Sequence, residues 1–316
     1  MYINAMGAYV PEGRITNDYF LAVNGLTSEW ITQRTGIVSR SKAAADENQF
    51  TMAIDAIDDA LPRLPYDIKD VDLIVGAAYA AYDTVGTVGH VAQQHYGIAG
   101  AKVVYATSAC SSFINGLEIA DCYFKAGKAT KALIICSEHN TYYSNEADPK
   151  SGHLWGDAAV AFFVSKEQVA PNDWKVLSIF TEGLGHLGKG PNGVLLRPRE
   201  DGIVMPDGRD VFIHACRYMI YALNKALEES GLQPADLGHL ITHQANKRIV
   251  AQVAHQLDRP MDDFFNNIET LGNTGSASAP LVLCQFADQV KPGEKVALTV
   301  FGGGYSCGCF ITEKPV

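Results

Sequence analysis

Cys110 stands in Ser108-Ala109-Cys110-Ser111-Ser112-Phe113, after a β-branched, aromatic run at residues 101–105. Phe113, Leu117, Ala120 and Phe124 then recur at helical spacing until Gly127 stops the pattern. The spacing predicts a strand-to-helix turn with the cysteine on the first turn of the helix. Unpaired N–H groups there carry partial positive charge, which favours the thiolate that attacks carbonyl carbon. A free cysteine is also a common packing residue, so this stretch alone leaves both roles open. His243 follows an apolar run at 237–242 and precedes a helical pattern, a place where a structural histidine is ordinary. Asn273 sits in Gly272-Asn273-Thr274-Gly275, where simple turn chemistry is the default. Phe301-Gly302-Gly303-Gly304 would let backbone approach a ligand closely. Together these stretches supply a soft nucleophile, two hydrogen-bond donors for a carbonyl oxygen and a wall free of side chains. Those are the parts of acyl transfer.

Such groups act together only if the elements that carry them converge. Residues 71–75, 132–136 and 158–164 read as buried strands, 50–61 and 86–96 as helices, and 1–10 as a first short strand. The second half repeats this order. Residues 237–242 match 71–75, and 246–257 match the helix after it. Residues 266–270 match the strand before Cys110, 272–289 its turn and helix, and 296–300 match 132–136. The shift is steady at about 165 residues, which marks an internal duplication. Three strand–helix units per half predict α/β layers with parallel strands, whose sites form beyond the carboxyl ends of the strands. Cys110, His243 and Asn273 all fall at such ends. The turn-rich residues 201–210 read as a connection between the halves.

With 316 residues, 47% hydrophobic and 19% charged, the chain has the composition of a large-cored globule. A net charge of −10 argues against general nucleic-acid binding. No apolar run approaches the roughly 20 residues of a membrane helix, and the N-terminus lacks a signal-peptide pattern. Seven cysteines without framework spacing suit reduced thiols in a cytoplasmic protein. Cys307-Gly308-Cys309 is too close-set for an ordinary zinc pair and reads as part of a C-terminal strand.

The chain resembles the β-ketoacyl-[acyl carrier protein] synthase III group of thiolase-fold condensing enzymes. The resemblance rests on Ser108 to Phe113, His243-Gln244-Ala245-Asn246-Lys247-Arg248-Ile249, Gly272-Asn273-Thr274 and Phe301-Gly302-Gly303-Gly304. Glu29-Trp30-Ile31, Arg34-Thr35-Gly36-Ile37 and Gly156-Asp157 add to it. It implies a duplicated α/β/α/β/α five-layer sandwich, with residues 1–170 holding the nucleophile and 171–316 the histidine, asparagine and glycine loop. It further implies a homodimer that needs neither a metal nor an organic cofactor. An asparagine at 273 separates the chain from elongating synthases, which carry a second histidine there. Phe301 separates it from thiolases, which carry a second cysteine. Chalcone-type enzymes have a proline in the glycine loop, and papain-like proteases a different cysteine segment.

By this resemblance Cys110 takes an acyl group from acyl-CoA, with the Cys110 and Gly303 N–H groups as the oxyanion hole. His243 and Asn273 then assist decarboxylation of malonyl-acyl carrier protein. Trp30, Arg34 and Asn246 belong to the CoA side of the site, and Lys247 and Arg248 to the carrier-protein contact. The family's second stacking arginine, shortly before Gly152, has no counterpart; Lys150 is nearby. Val85, in Asp83-Thr84-Val85-Gly86, falls where acetyl-selective members place a Phe-Pro pair in a loop reaching across the dimer. Trp155 is bulkier than the usual phenylalanine. One change opens the acyl pocket and the other fills it; Val85 leads us to expect acceptance of medium chains. Three other readings stay open: a condensing enzyme of secondary (polyketide, alkylquinolone or resorcinol-type) metabolism, a carrier-protein hydrolase or acyltransferase, and a non-catalytic partner subunit.

Overall fold

The computed structural model describes residues 1–316. The first half of the chain folds as β1 (Tyr2–Tyr9), β2 (Gly13–Thr16), α1 (Asn17–Asn24), α2 (Ser28–Thr35), β3 (Ser39–Lys42) and α3 (Gln49–Ala60). There follow β4 (Leu73–Ala77), α4 (Val88–Tyr96), β5 (Lys102–Ala106), α5 (Ser112–Lys125), β6 (Lys131–His139), α6 (Asn140–Tyr143) and β7 (Asp157–Ser165). The second half begins with β8 (Trp174–Gly183), β9 (Leu195–Arg197), β10 (Gly202–Val204), α7 (Gly208–Ser230) and β11 (Leu237–Thr242). It ends with α8 (Lys247–Gln256), α9 (Ile268–Leu271), α10 (Ser278–Phe286), β12 (Lys295–Gly302) and β13 (Ser306–Glu313).

Nine strands form one mixed sheet in the order β11-β12-β13-β8-β1-β7-β6-β4-β5. Its centre is a narrow seam. There β1 meets β8 only through Tyr2 with Lys175 and Ile3 with Trp174, so the sheet is effectively two half-sheets joined at a corner. Outward from that seam the order is equivalent on both sides, β1-β7-β6-β4 and β8-β13-β12-β11. Helices α3 and α4 cover the outer face of the first half-sheet through Met52, Ala56, Ile57 and Ala92. Met219, Leu223, Val250 and Val253 of α7 and α8 cover the outer face of the second. Between the half-sheets lie α5 and α10, whose Phe113, Leu117, Leu281 and Leu283 belong to the largest core. The result is five layers.

The central position of α5 decides where Cys110 goes. Phe113, three residues on, sets its ring edge-on against Phe162 of β7 at 4.7 Å and against Phe310 of β13 at 5.9 Å. Such aromatic pairs stabilise beyond their buried area. One side chain thereby anchors the start of α5 to both half-sheets.

Three sequence expectations differ from this fold. Only β4–β5, β4–β6 and β11–β12 run parallel, the other main-sheet pairings being antiparallel. The strand expected at 266–270 is absent: a single bridge, Leu240 with Phe264, lies just before it, and the segment itself runs into the short α9. The reason is local, because the Gln244 side-chain carbonyl accepts the N–H groups of Asn267 (3.1 Å) and Ile268 (3.3 Å). Those donors are then unavailable to a ladder. Residues 201–210 do not connect the halves, since β8 already belongs to the second half-sheet. They carry β10 and the start of α7, which Asp207 caps by accepting the Asp210 N–H at 3.1 Å.

Candidate active site

Cys110 lies between β5 and α5 on a turn built under strain. Ala109, immediately before it, has φ +49°, a left-handed conformation that costs a non-glycine residue about 1–3 kcal/mol. Local bonds hold it there. The Ser112 hydroxyl accepts the Ser108 N–H at 2.8 Å and donates to the Ala109 carbonyl at 2.6 Å. The Ser111 and Ser306 hydroxyls both donate to the Ser108 carbonyl, at 2.7 and 3.2 Å. Gly302 is required at this contact, because a Cβ there would lie 2.3 Å from the Ser108 oxygen. Cys110 itself precedes the N-cap Ser111, so it stands just outside the helix and not on its first turn. Burial, reinforced by the nearby Glu138 carboxylate, pushes its thiol up. That direction opposes the thiolate which the field at a helix start was expected to favour. Neither the Cys110 nor the Gly303 N–H donates to another backbone carbonyl, which leaves both free for a ligand oxygen.

His243 follows β11 and is buried, which lowers its pKa to about 4. The ring is neutral at physiological pH. Its Nδ1 lies 2.8 Å from the Ser278 hydroxyl of α10. That hydroxyl oxygen also accepts the Gln244 N–H at 3.4 Å, and its own proton is available to Nδ1. With that proton on the Ser278 oxygen shared to Nδ1, the ring hydrogen sits on Nε2, where it is a donor. Ser278→Ala should slow decarboxylation of a malonyl thioester by roughly tenfold, the scale of one lost orienting hydrogen bond. Loss of acyl uptake instead would contradict that orientation.

Asn273 is held by its backbone to the neighbouring loop. Its N–H donates to the Leu154 carbonyl at 2.8 Å, and its carbonyl accepts from Gly156 N–H at 3.0 Å. The Asn273 Oδ1 accepts from Gly275 N–H at 3.0 Å, which turns the amide nitrogen outward as a donor.

Cys110, His243, Asn273 and Gly303 line one cavity of about 280 Å³. Trp155, Phe301, Ala245 and Ile249 form apolar walls. The β9–β10 hairpin lines the cavity too, contributing Leu195, Leu196, Ile203 and the flanking Val194 and Met205. Gly303 accommodates it, since a Cβ there would meet Val194 Cβ at 2.7 Å.

The remaining sequence-predicted residues lie outside the cavity lining. Trp30 on α2 is partly exposed, with the Arg34 guanidinium 5.5 Å from its ring and the His153 ring edge-on at 5.6 Å. Asn246 caps α8 by accepting the Arg248 N–H at 2.9 Å and donates to the Arg34 carbonyl at 3.1 Å. Lys247 pairs with Glu269 at 2.9 Å, whereas Arg248 extends over the Phe212 ring at 5.8 Å. Val85 is 84% exposed and does not line this cavity.

Three groups at the site escaped the sequence reading. Tyr79 lines the cavity, and Glu138, whose carboxyl burial raises to about 7, binds the loops on either side of it. Ser278 is the third. Only Tyr79 carried a signal, being a lone aromatic in the small-residue run from Gly76 to Ala81.

Comparison with known proteins gives the family. Residues 106–183 match the family described as 3-oxoacyl-[acyl-carrier-protein] synthase III, and residues 227–314 match its C-terminal part. The β-ketoacyl-[acyl-carrier-protein] synthase III of Nitratidesulfovibrio vulgaris is 33% identical over 98% of this chain and 97% of its own. The crystal structure of 3-oxoacyl-[acyl-carrier-protein] synthase III from Aquifex aeolicus superposes with a TM-score of 0.91 at 30% identity, covering 99% of both chains. The priming β-ketosynthase of the R1128 polyketide pathway superposes at 0.89 with 28% identity, over 99% of this chain and 96% of its own. On full-length similarity and shared thiolase fold alike, this chain belongs to the 3-oxoacyl-[acyl-carrier-protein] synthase III family.

Proposed function

We propose that the protein condenses an acyl-CoA primer with malonyl-acyl carrier protein, releasing carbon dioxide and forming a β-ketoacyl-carrier protein, the step that initiates fatty acid synthesis. The carrying observation is that Cys110, His243 and Asn273, from three distant parts of the chain, meet in one apolar cavity beside two free backbone N–H groups. Cys110 Sγ attacks the thioester carbon. The Cys110 and Gly303 N–H groups hold the oxyanion, and the thiol proton leaves with CoA as its free thiol. CoA departure empties the cavity for the malonyl thioester. His243 Nε2–H and the Asn273 amide then donate to its carbonyl oxygen, where the enolate charge collects as the C–CO₂ bond breaks. A neutral histidine suits this role, since its proton is donated as a hydrogen bond and stays on the ring. The carbanion carbon attacks acyl-Cys110, the C–S bond breaks, and the released thiolate takes up one proton.

Trp30 and Arg34 flank the approach on the CoA side, with Asn246 fixing α2 against α8. Val85 and its loop serve a second copy of the chain, reaching from one protomer toward its partner's acyl pocket. The test follows the covalent intermediate: intact mass after a panel of acyl-CoAs, then after malonyl-carrier protein. One acyl adduct per chain, discharged by the second substrate with β-ketoacyl product, is expected. A hydrolase would lose the adduct to water alone, and a non-catalytic subunit would form none.

Docking of the acidic carrier protein on a chain of charge −10 requires a local cation. Because Lys247 is already paired with Glu269, Arg248 carries that contact. Arg248→Glu should slow the malonyl-carrier half-reaction about tenfold at low salt and flatten its salt dependence. Lys247→Glu should do less, and acylation by acyl-CoA should not follow either change. Equal loss in both half-reactions would place the dock elsewhere.

A further inference from the structure

Of the groups around Cys110, one has no part in the chemistry above. Tyr79 leaves the end of β4 and turns its ring toward the nucleophile, lining the same cavity as Cys110, His243 and Asn273. Its hydroxyl is buried and makes no hydrogen bond within the chain, although the Cys110 thiol and the Asn140 side chain adjoin it. A buried phenol without a partner is costly unless its donor is used at some stage of the protein's work.

The placement is built from two sides. The Glu138 carboxylate accepts the N–H groups of Tyr79 at 3.1 Å and Ala80 at 2.9 Å, and it also accepts from the Ser276 hydroxyl. One carboxylate therefore ties the Tyr79 turn to the turn that carries Asn273. On the other side Gly275 makes room, since a Cβ there would lie 2.7 Å from the Tyr79 oxygen. The phenol is thus confined beside the sulfur.

Resting on Cys110 as the nucleophile, we propose that the Tyr79 hydroxyl is a further catalytic group, donating a hydrogen bond to Cys110 Sγ whenever negative charge develops there. The need for it is local. Glu138 opposes charge on the sulfur and the apolar walls withhold water, while the Tyr79 hydroxyl, unpartnered in the resting site, is the side-chain donor that adjoins the thiol. Burial holds the phenol well above the ordinary tyrosine range, so it stays protonated and serves as donor, never as base. No proton is transferred. The same bond serves twice, during attack on the acyl donor and when Cys110 leaves in the condensation, and it has no part in decarboxylation.

The test is Tyr79→Phe, which keeps the ring. Acyl uptake at Cys110 in the first turnover should fall roughly ten- to a hundredfold, the scale of a hydrogen bond to a charged group. The pH profile of Cys110 alkylation by iodoacetamide should move upward, which a merely structural ring would not cause. Carbon dioxide release from malonyl-carrier protein by the unacylated protein should stay within about twofold, well short of the loss from a missing oxyanion donor. Wild-type acyl uptake in Tyr79→Phe, an unmoved alkylation profile, or equal loss of decarboxylation would overturn the proposal. Failure of the wild-type protein to acylate would instead count against Cys110 as nucleophile, and the alkylation profile would still decide the role of Tyr79.

Discussion

Cys110→Ala should take up no acyl group from any acyl-CoA, and peptide mapping of the wild-type adduct should find the label at Cys110 alone. The other six cysteines are reduced, and their surroundings explain why they stay unlabelled. Cys136 in β6, Cys307 and Cys309 in β13 are fully buried among strand neighbours. Cys216 and Cys284 are packed within α7 and α10, and Cys122 lies in the interior of α5, exposed but without an oxyanion site. Cys110 is also buried, yet it alone borders the cavity and two uncommitted N–H groups. Position, then, and not an acidic resting thiol, distinguishes it. Removing the nucleophile removes the covalent route altogether, the largest effect a single substitution can have here. Label on Cys136 or Cys307 that persists in Cys110→Ala would refute the assignment.

The second large effect separates the half-reactions. His243→Ala and Asn273→Ala should each lower carbon dioxide release from malonyl-carrier protein by roughly a hundredfold to a thousandfold, as for one lost oxyanion donor. Acylation of Cys110 should survive in both, because its oxyanion is held by backbone N–H groups. The pH dependence follows from the histidine's environment. Burial places its pKa at about 4, below the usual histidine value, so the donor form is complete near neutrality. Decarboxylation should hold steady from pH 8 to pH 6 and decline only as the pH approaches 4, where a proton on Nδ1 displaces the Ser278 hydroxyl bond that orients the ring. Midpoint loss near the ordinary histidine value of about 6.5 would show a solvated ring, and near wild-type release in both variants would remove the enolate role.

Much of this protein was legible from residue order because the relevant information is local. A β-branched run followed by small residues and a helical pattern specifies a strand, a turn and a helix wherever they occur in a fold. The repeat at constant shift then exposed the duplicated order, and motif content exposed the family. The groups read in this way, Cys110, His243 and Asn273, each sit in a turn that short-range hydrogen bonds define: Ser112 to Ala109, Gln244 to Thr242, Gly275 to Asn273.

What required the tertiary structure was everything set by contacts distant in sequence. The segment 266–270 has strand-like composition, but Gln244 takes its N–H groups. Residues 201–210 look like a linker, but Ile203 within them, with Leu195 and Leu196 just before, lines a cavity whose other walls come from both halves. The surroundings of Cys110 could not be read from a helix start, because burial and a carboxylate on another strand both push its thiol up. Tyr79 comes to line the cavity beside Cys110 because Glu138 of β6 holds its backbone and Gly275 of the Asn273 turn leaves room for its hydroxyl. Desolvation and long-range packing are properties of assembled layers, and no stretch of sequence carries them by itself.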